Sequence, residues 1–145
     1  MTEKKSYFPY SEYLKKIYGE KVYKLPVNLP VTCPNRAGGA GGCTFCAAAG
    51  TGFEALPPEL PVREQLRRTR EKVERKYKAR KFIAYFQNYT NTFLPLEDFT
   101  AYVEEAACER DIVEIDISTR PDCVSREYLE VLRSLRGRRG TDICV

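Results

Sequence analysis

The sequence predicts an α/β protein built around a parallel β-sheet. Segments with strand composition alternate with segments of helical periodicity along the chain, and the helical segments that separate strands are about 12–20 residues long. Parallel strands require crossovers of about this length, which are usually helices and right-handed. The chain has 145 residues, enough for one domain with one hydrophobic core.

The elements follow in chain order. Residues 11–18 predict a short helix, with Leu14, Ile17 and Tyr18 facing inward. Residues 22–31 have strand composition, but Pro26 and Pro30 restrict this segment to an edge or irregular strand. Beyond a connection over residues 47–61, the predicted elements are a helix at 61–80, a strand at 81–87, a helix at 94–109, a strand at 112–118, a helix at 125–137 and the start of a strand at 141–145.

The side-chain pattern within two of these elements predicts their faces. In the strand at 112–118, alternation places Val113, Ile115 and Ile117 on one face and Glu114, Asp116 and Ser118 on the other. A parallel strand buried on both faces is usually apolar throughout, so a polar face favours a wet or ligand-filled concavity, as in an open barrel. In the helix at 125–137, the residues expected inward are Tyr128, Leu129, Leu132 and Leu135.

Composition limits the class of protein. No apolar run approaches the length that spans a bilayer, and the N-terminal residues lack the apolar stretch of a signal peptide, so we expect a cytoplasmic protein with no membrane contact. In that compartment, six cysteines indicate metal ligands or free thiols more than disulfides. The chain contains no histidine, which excludes Cys–His and Ser–His catalysis and mixed Cys/His zinc sites.

Basic residues concentrate in one predicted helix. Residues 63–81 contain ten Lys or Arg and three Glu, a local charge of +7, whereas the whole chain carries +4. Such a surface can hold nucleic-acid phosphates. A helix of this composition more often presents a solvated face, and both interpretations stay open.

Three polar segments follow predicted strands. They are residues 33–46, residues 87–92 (QNYTNT) and residues 118–122 (STRPD). Ligands of parallel α/β sheets lie beyond the carboxyl ends of the strands, so we expect these segments to form one site.

The first segment carries Cys33, Cys43 and Cys46 with the spacing C-x9-C-x2-C. Thiolates are soft ligands that suit zinc or an iron–sulfur cluster, and the spacing alone leaves a cluster, zinc and unligated cysteines open. Tetrahedral zinc would need a fourth ligand from Cys108, Cys123 or Cys144. We expect Cys108 to be a small buried hydrophobe, Cys123 to be structural, and Cys144 to be buried or incidental.

The run CPNRAGGAGGCTFC, together with residues 81–97 (KFIAYFQNYTNTFLPLE) and 118–123 (STRPDC), resembles the radical S-adenosylmethionine (radical SAM) superfamily. The likeness is to its subgroup around the elongator catalytic subunit and MiaB/NifB-type enzymes, and it extends over residues 18–135. The resemblance implies a partial (βα)6 barrel. It also implies a [4Fe-4S] cluster on Cys33, Cys43 and Cys46, whose open iron binds SAM, and reductive cleavage of SAM to a 5′-deoxyadenosyl radical that takes hydrogen from a substrate.

The resemblance also implies roles for other residues. Phe45 would lie near the adenine of SAM. Gln87, Asn88 and Tyr89 would meet the methionyl amine. Ser118, Thr119 and Arg120 would meet the carboxylate or ribose, and the planar fork of Arg120 suits a carboxylate.

Relative to that family, the chain ends inside the fourth strand. We therefore expect residues 1–24 to be an N-terminal extension and residues 25–145 to be the first three βα units and the start of the fourth strand of an incomplete core. The expected partners are an electron donor of the flavodoxin or ferredoxin type, an RNA substrate, and a complementary C-terminal chain. The alternative is a non-catalytic remnant that binds metal or RNA.

Overall fold

The computed structural model describes residues 6–30, 56–87 and 90–145 of the chain. The helices are α1 (Tyr10–Tyr18), α2 (Val62–Tyr77), α3 (Leu96–Ala107) and α4 (Arg126–Arg139), with a 3-10 turn at Pro121–Cys123 before α4. The strands are β1 (Val22–Val27), β2 (Lys81–Phe86), β3 (Ile112–Ile117) and β4 (Asp142–Cys144). Each predicted element is present in these ranges, with its ends shifted by a few residues.

The strands form one parallel sheet in the order β1-β2-β3-β4. Each strand pairs with the strand that follows it in sequence, so the sheet is wound in one direction, which is compatible with a partial α/β barrel. A doubly wound sheet would reverse its order at a switch point. β1 lies at an edge of the described sheet, as Pro26 predicts.

The main core lies between one face of the sheet and helices α2, α3 and α4. Leu25 and Val27 of β1 pack in this core with Phe82, Ala84 and Phe86 of β2 and with Ile115 and Ile117 of β3. The helices contribute Val62, Leu66, Phe99, Val103, Ala106, Leu132 and Leu135. These side chains are almost completely buried, and their removal from water is the main stabilising contribution to the fold.

Helix α1 packs on the opposite face of the sheet. Its Leu14 is buried with Val22 of β1 and Ile83 of β2, and Tyr18 and Val113 pack against them. Gly19 ends the helix in the left-handed conformation, with φ +79°, which glycine adopts without strain. α1 therefore covers part of the polar face for which the sequence predicts an open concavity.

Several sequence predictions of burial are wrong. Val113 does not share a face with Ile115 and Ile117, because the β2–β3 register shifts beside Phe82 and Ile83 and breaks the alternation at that point. Ile17 and Leu129 are about half exposed, because each lies at the border of its helix's apolar stripe. Cys108 is exposed, since it lies at the C-terminal end of α3, beyond the packed turns.

No helix in the described ranges combines the length and the apolar character that a membrane-spanning helix needs.

Candidate functional site

The carboxyl ends of β1, β2 and β3 lie side by side, since the strands are parallel and adjacent. We call this region the carboxyl edge; its described residues are Asn28, Leu29, Gln87, Thr90, Asn91, Thr92 and residues 118–122. Thr90, Asn91 and Thr92 are buried despite their polarity. Buried polar side chains are retained where they make hydrogen bonds, and those bonds organise the edge.

Gln65 of α2 joins the two described flanks of the cysteine segment. Its side-chain amide donates hydrogen bonds to the carbonyl oxygens of Asn28 (2.9 Å) and Leu60 (2.8 Å), and its Oε1 accepts one from the backbone N–H of Asn28 (2.8 Å). Asn28 follows β1 and Leu60 precedes α2, and Gln65 itself is completely buried. One side chain thus fixes both ends of the stretch that contains Cys33, Cys43 and Cys46.

Asn91 joins the second loop of the edge to the third. Its side-chain amide donates to the carbonyl oxygens of Phe86 (2.7 Å) and Ser118 (3.0 Å), which assigns the nitrogen of that amide. The backbone N–H of Asn91 also donates to the Ser118 carbonyl (3.1 Å), and the N–H of Ser118 donates to the Phe86 carbonyl (2.9 Å). The ends of β2 and β3 are therefore held in one rigid arrangement.

Two amide oxygens at this edge remain without partners. Oδ1 of Asn28 and Oδ1 of Asn91 are buried and accept no hydrogen bond from any described residue. A buried acceptor without a donor costs about 1–3 kcal/mol, so both atoms are suited to receive a donor that the described residues do not supply.

Thr92 of residues 87–92 contacts Thr119 of residues 118–122, and Arg120 forms an ion pair within the second of these segments. Thr92 Oγ1 lies 2.5 Å from Thr119 Oγ1 and donates to the Cys123 carbonyl at 2.7 Å. Arg120 binds Asp122 through two parallel contacts, from Nε to Oδ1 at 2.9 Å and from Nη2 to Oδ2 at 2.8 Å. The Arg120 guanidinium lowers the pKa of the Asp122 carboxyl below its usual value.

The structure brings together four of the predicted SAM-contacting residues, Gln87, Ser118, Thr119 and Arg120, at the carboxyl edge. Phe45, Asn88, Tyr89 and the three cysteines Cys33, Cys43 and Cys46 lie outside the described residues. The sequence does not single out Gln65, and it places Asn91 in the site segment 87–92 without a role of its own. For Gln65 a signal existed, because it lies three positions after Val62 and next to Leu66, on the apolar side of α2.

The other face of the sheet carries a second polar group of residues. Lys24 of β1, Glu114 and Asp116 of β3, and Asp142 and Cys144 of β4 lie there under the tyrosines of α1. We call these five residues the polar face. The alternation in residues 112–118 correctly predicts that Glu114 and Asp116 share this side.

The side chain of Lys24 extends over β2 to Asp116 of β3. Its Nζ lies 3.3 Å from Oδ2 of Asp116 and 4.2 Å from the centre of the Tyr85 ring. The Asp116 side chain is only 8% exposed, and its Oδ1 has no hydrogen-bond partner among the described residues. The ion pair therefore engages one carboxylate oxygen and leaves the other buried.

Tyr18 links Glu114 to Asp142. Its hydroxyl lies 2.7 Å from Glu114 Oε2 and 2.8 Å from Asp142 Oδ2. Burial, together with the neighbouring Asp116 carboxylate, raises the pKa of Glu114 to about 7. Burial and its contacts with Glu114 and Asp142 also raise the pKa of Tyr18. Partial loss of solvent contact at the sulfur, with Asp116 and Glu114 nearby, raises the pKa of the Cys144 thiol as well.

Cys144 differs from the buried environment that the sequence predicts for it. Cys144 is exposed rather than buried, yet its Sγ, one oxygen of Glu114 and one of Asp116 lie within 4.8 Å of one another. It therefore belongs to the polar face. Cys123 is partly buried, and its carbonyl accepts a hydrogen bond from Thr92.

Much of the positive charge of α2 is engaged in ion pairs. Arg63 and Arg67 both contact Glu109 of the α3–β3 connection, at 3.5 and 3.3 Å. Within α2, Arg68 pairs with Glu64 and Arg75 pairs with Glu71. Arg70 contacts Asp111 at 2.7 Å and Glu74 at 2.7 Å. These contacts reduce the free charge that the helix offers to phosphates.

These features define an α/β protein with a parallel sheet, helices in alternation, and polar loops interlocked at the carboxyl edge. No family model matches the chain, and no solved structure gives a significant match. The chain is 37% identical over 139 residues to the uncharacterized protein YtqA of Bacillus subtilis, an alignment that covers 94% of this chain and 43% of that protein.

Two further relatives come from other organisms. Protein YhcC of Escherichia coli is 39% identical over 121 residues, which cover 82% of this chain and 38% of YhcC. The uncharacterized protein MJ0486 of Methanocaldococcus jannaschii is 31% identical over 125 residues, covering 85% of this chain and 38% of that protein. The chain spans about two-fifths of the length of the curated relatives it matches.

Proposed function

We propose that the chain carries the cluster-binding part of a radical SAM enzyme, within a partial (βα)6 barrel. Cys33, Cys43 and Cys46 would hold a [4Fe-4S] cluster, and the carboxyl edge would hold SAM. The observation that supports the proposal is that three segments lie at the same edge of the sheet. The flanks of the cysteine segment, the described part of residues 87–92, and residues 118–122 follow three neighbouring parallel strands.

The donor set fits an iron–sulfur cluster. Three thiolates are soft ligands, and a cluster held by three cysteines keeps one iron open to a further ligand. When bound, the cluster supplies the electron that cleaves SAM to methionine and a 5′-deoxyadenosyl radical, which takes hydrogen from a substrate. Gln65 supports this function by fixing both flanks of the cysteine segment at the carboxyl edge.

The remaining residues would bind and orient SAM. The buried Oδ1 of Asn91 is an acceptor suited to the methionyl ammonium, beside the proposed contacts of Gln87, Asn88 and Tyr89. Ser118 and Thr119 would contact the ribose or carboxylate, and Phe45 the adenine. Arg120 already engages Asp122, so binding a carboxylate with its full fork requires that ion pair to open.

Anaerobic reconstitution with iron and sulfide tests the proposal. We expect about four irons and four sulfides per chain, as in a [4Fe-4S] cluster. We also expect an EPR spectrum of the reduced protein that changes when SAM is added. Cys33→Ala should lose the iron, whereas Cys108→Ala is the matched control and should keep it, because Cys108 is exposed at the end of α3.

The competing hypothesis is a non-catalytic protein that binds zinc or RNA. The proposal would be contradicted if the protein retained zinc in place of iron. It would also be contradicted if the EPR spectrum of the cluster did not change when SAM is added. The nature of the substrate is a separate question, because the ion pairs of α2 leave RNA contact without specific support.

A further inference from the structure

The polar face brings three metal-ligating side chains together from two neighbouring strands. Asp116 and Cys144 are direct partners in the β3–β4 register, and Glu114 lies two residues before Asp116 on the same face. Sγ of Cys144 and one oxygen each of Glu114 and Asp116 lie within 4.8 Å of one another. Because the backbone of paired strands sets these positions, the three side chains are held together in advance.

Asp116 supplies an independent sign of an absent ligand. Its residue is only 6% exposed, and Oδ1 has no hydrogen-bond partner in the described part of the chain. Lys24 engages Oδ2 and leaves Oδ1 without a partner. A buried carboxylate oxygen in this condition is costly unless it gains a proton donor or a cation.

The charges of the polar face are also unbalanced. Of the five residues of the polar face, three carry carboxyls (Glu114, Asp116 and Asp142) and one, Lys24, carries an ammonium group. The Tyr18 hydroxyl has one proton, yet it lies within hydrogen-bond distance of both Glu114 and Asp142. It can therefore donate to only one of these two carboxyls at a time. The other carboxyl, like Oδ1 of Asp116, can accept a cation.

We propose that Glu114, Asp116 and Cys144 form a binding site for a divalent cation of the Zn²⁺ class. Two carboxylate oxygens and one thiolate are a donor set for borderline metals, whereas Mg²⁺ and Ca²⁺ prefer oxygen alone. Bonds of about 2.0–2.3 Å to one ion require ligand atoms to lie closer to one another than 4.8 Å. Rotation of the exposed Cys144 and half-buried Glu114 side chains would bring them closer, and Cys144 opens the site to solvent.

The proposed site uses none of the cysteines of the proposed cluster, so the two are tested separately. Cys33, Cys43 and Cys46 are all replaced by Ala in the full chain, which removes their thiols as competing ligands. Co²⁺ is then titrated as a spectroscopic probe for Zn²⁺. We expect one Co²⁺ per chain, with a thiolate-to-cobalt charge-transfer band, and displacement of Co²⁺ by Zn²⁺.

Further variants in the same background identify the ligands. Cys144→Ser should abolish the charge-transfer band, and Asp116→Asn should weaken Co²⁺ binding by at least about tenfold. Cys108→Ser is the matched control and should change neither. Since Asp116 is buried, Glu114→Gln gives a second ligand test if Asp116→Asn fails to fold. Absence of Co²⁺ binding, or a charge-transfer band that survives Cys144→Ser, would overturn the proposal.

Discussion

Gln65 connects the fold to both described flanks of the cysteine segment. Its amide satisfies the N–H and carbonyl of Asn28 and the carbonyl of Leu60, all within 2.9 Å. Gln65 lies on the apolar side of α2, yet its amide makes these polar contacts. Leu66 beside it packs in the core, while the Gln65 amide binds backbone groups of Asn28 and Leu60.

Replacing the Gln65 side chain should destabilise the folded protein. We expect Gln65→Ala to lower the free energy of unfolding by about 3 kcal/mol, because it removes three hydrogen bonds and leaves partly buried backbone groups of Asn28 and Leu60 without these partners. Urea denaturation followed by circular dichroism measures the change. Lys72→Ala, at an exposed position of the same helix, is the control and should stay within about 0.5 kcal/mol of the unchanged protein.

Asn91 provides a graded comparison. Asn91→Ala removes two side-chain hydrogen bonds, but the Phe86 and Ser118 carbonyls keep their backbone donors. We therefore expect a loss of about 1 kcal/mol, smaller than for Gln65→Ala. An equal or larger loss, measured by the same denaturation, would contradict the view that unsatisfied backbone groups dominate the cost.

At the scale of elements, the sequence predicts helix α1 but not its position on the sheet. Its amphipathic pattern indicates a helix with one buried side, and Leu14 is buried as predicted. The pattern contains no information on which face of the sheet receives that side. The contact with Ile83 and Val113 depends on a strand face formed from residues about 70–100 positions away, after the β2–β3 register has shifted.

Helices α3 and α4 are joined by an ion pair between Glu104 and Arg138. The Arg138 hydrogen bond lowers the pKa of Glu104 below its ordinary 4.5. A carboxyl whose pKa is lower in the folded state stabilises the protein above the unfolded pKa and loses this contribution as the pH falls through the folded value.

We therefore expect Arg138→Gln to lower the melting temperature at pH 7 and to have progressively less effect as the pH falls below 4.5. The contribution should not exceed about 1 kcal/mol, because both side chains are at least one-third exposed. Thermal melts of both proteins across that pH range measure it. A difference that grows on acidification would exclude the ion pair as its cause.

At the scale of the molecule, the sequence predicts the alternation of elements, the parallel sheet and the polar side of β3. These depend on local periodicity and on connection lengths, which the sequence contains directly. The sequence does not predict the hydrogen-bond partners of the polar side chains. The Tyr18 contacts with Glu114 and Asp142 join residues separated by 96 and 124 positions, and only the folded chain brings them together.

If the cysteine segment holds a cluster, loading it should stabilise the whole domain. A ligand that binds only the folded state raises its stability, and a gain of about 2 kcal/mol in a domain of this size raises the melting temperature by about 4–8 °C. Anaerobic calorimetry before and after reconstitution measures the shift. The protein with Cys33, Cys43 and Cys46 all replaced by Ala should show none, and a shift of equal size there would point to iron bound elsewhere.

The Gln65 contacts with Asn28 and Leu60 have a consequence for how the spacing between cysteines can change. When both ends of a segment are fixed by the fold, the entropic cost of a longer segment grows only with the logarithm of its length. Doubling it costs about 0.6 kcal/mol. Insertions between Asn28 and Leu60 should therefore affect stability little so long as Gln65 is kept. A change in the length of this segment would then alter the free energy of unfolding little, which would allow a spacing of nine residues between Cys33 and Cys43.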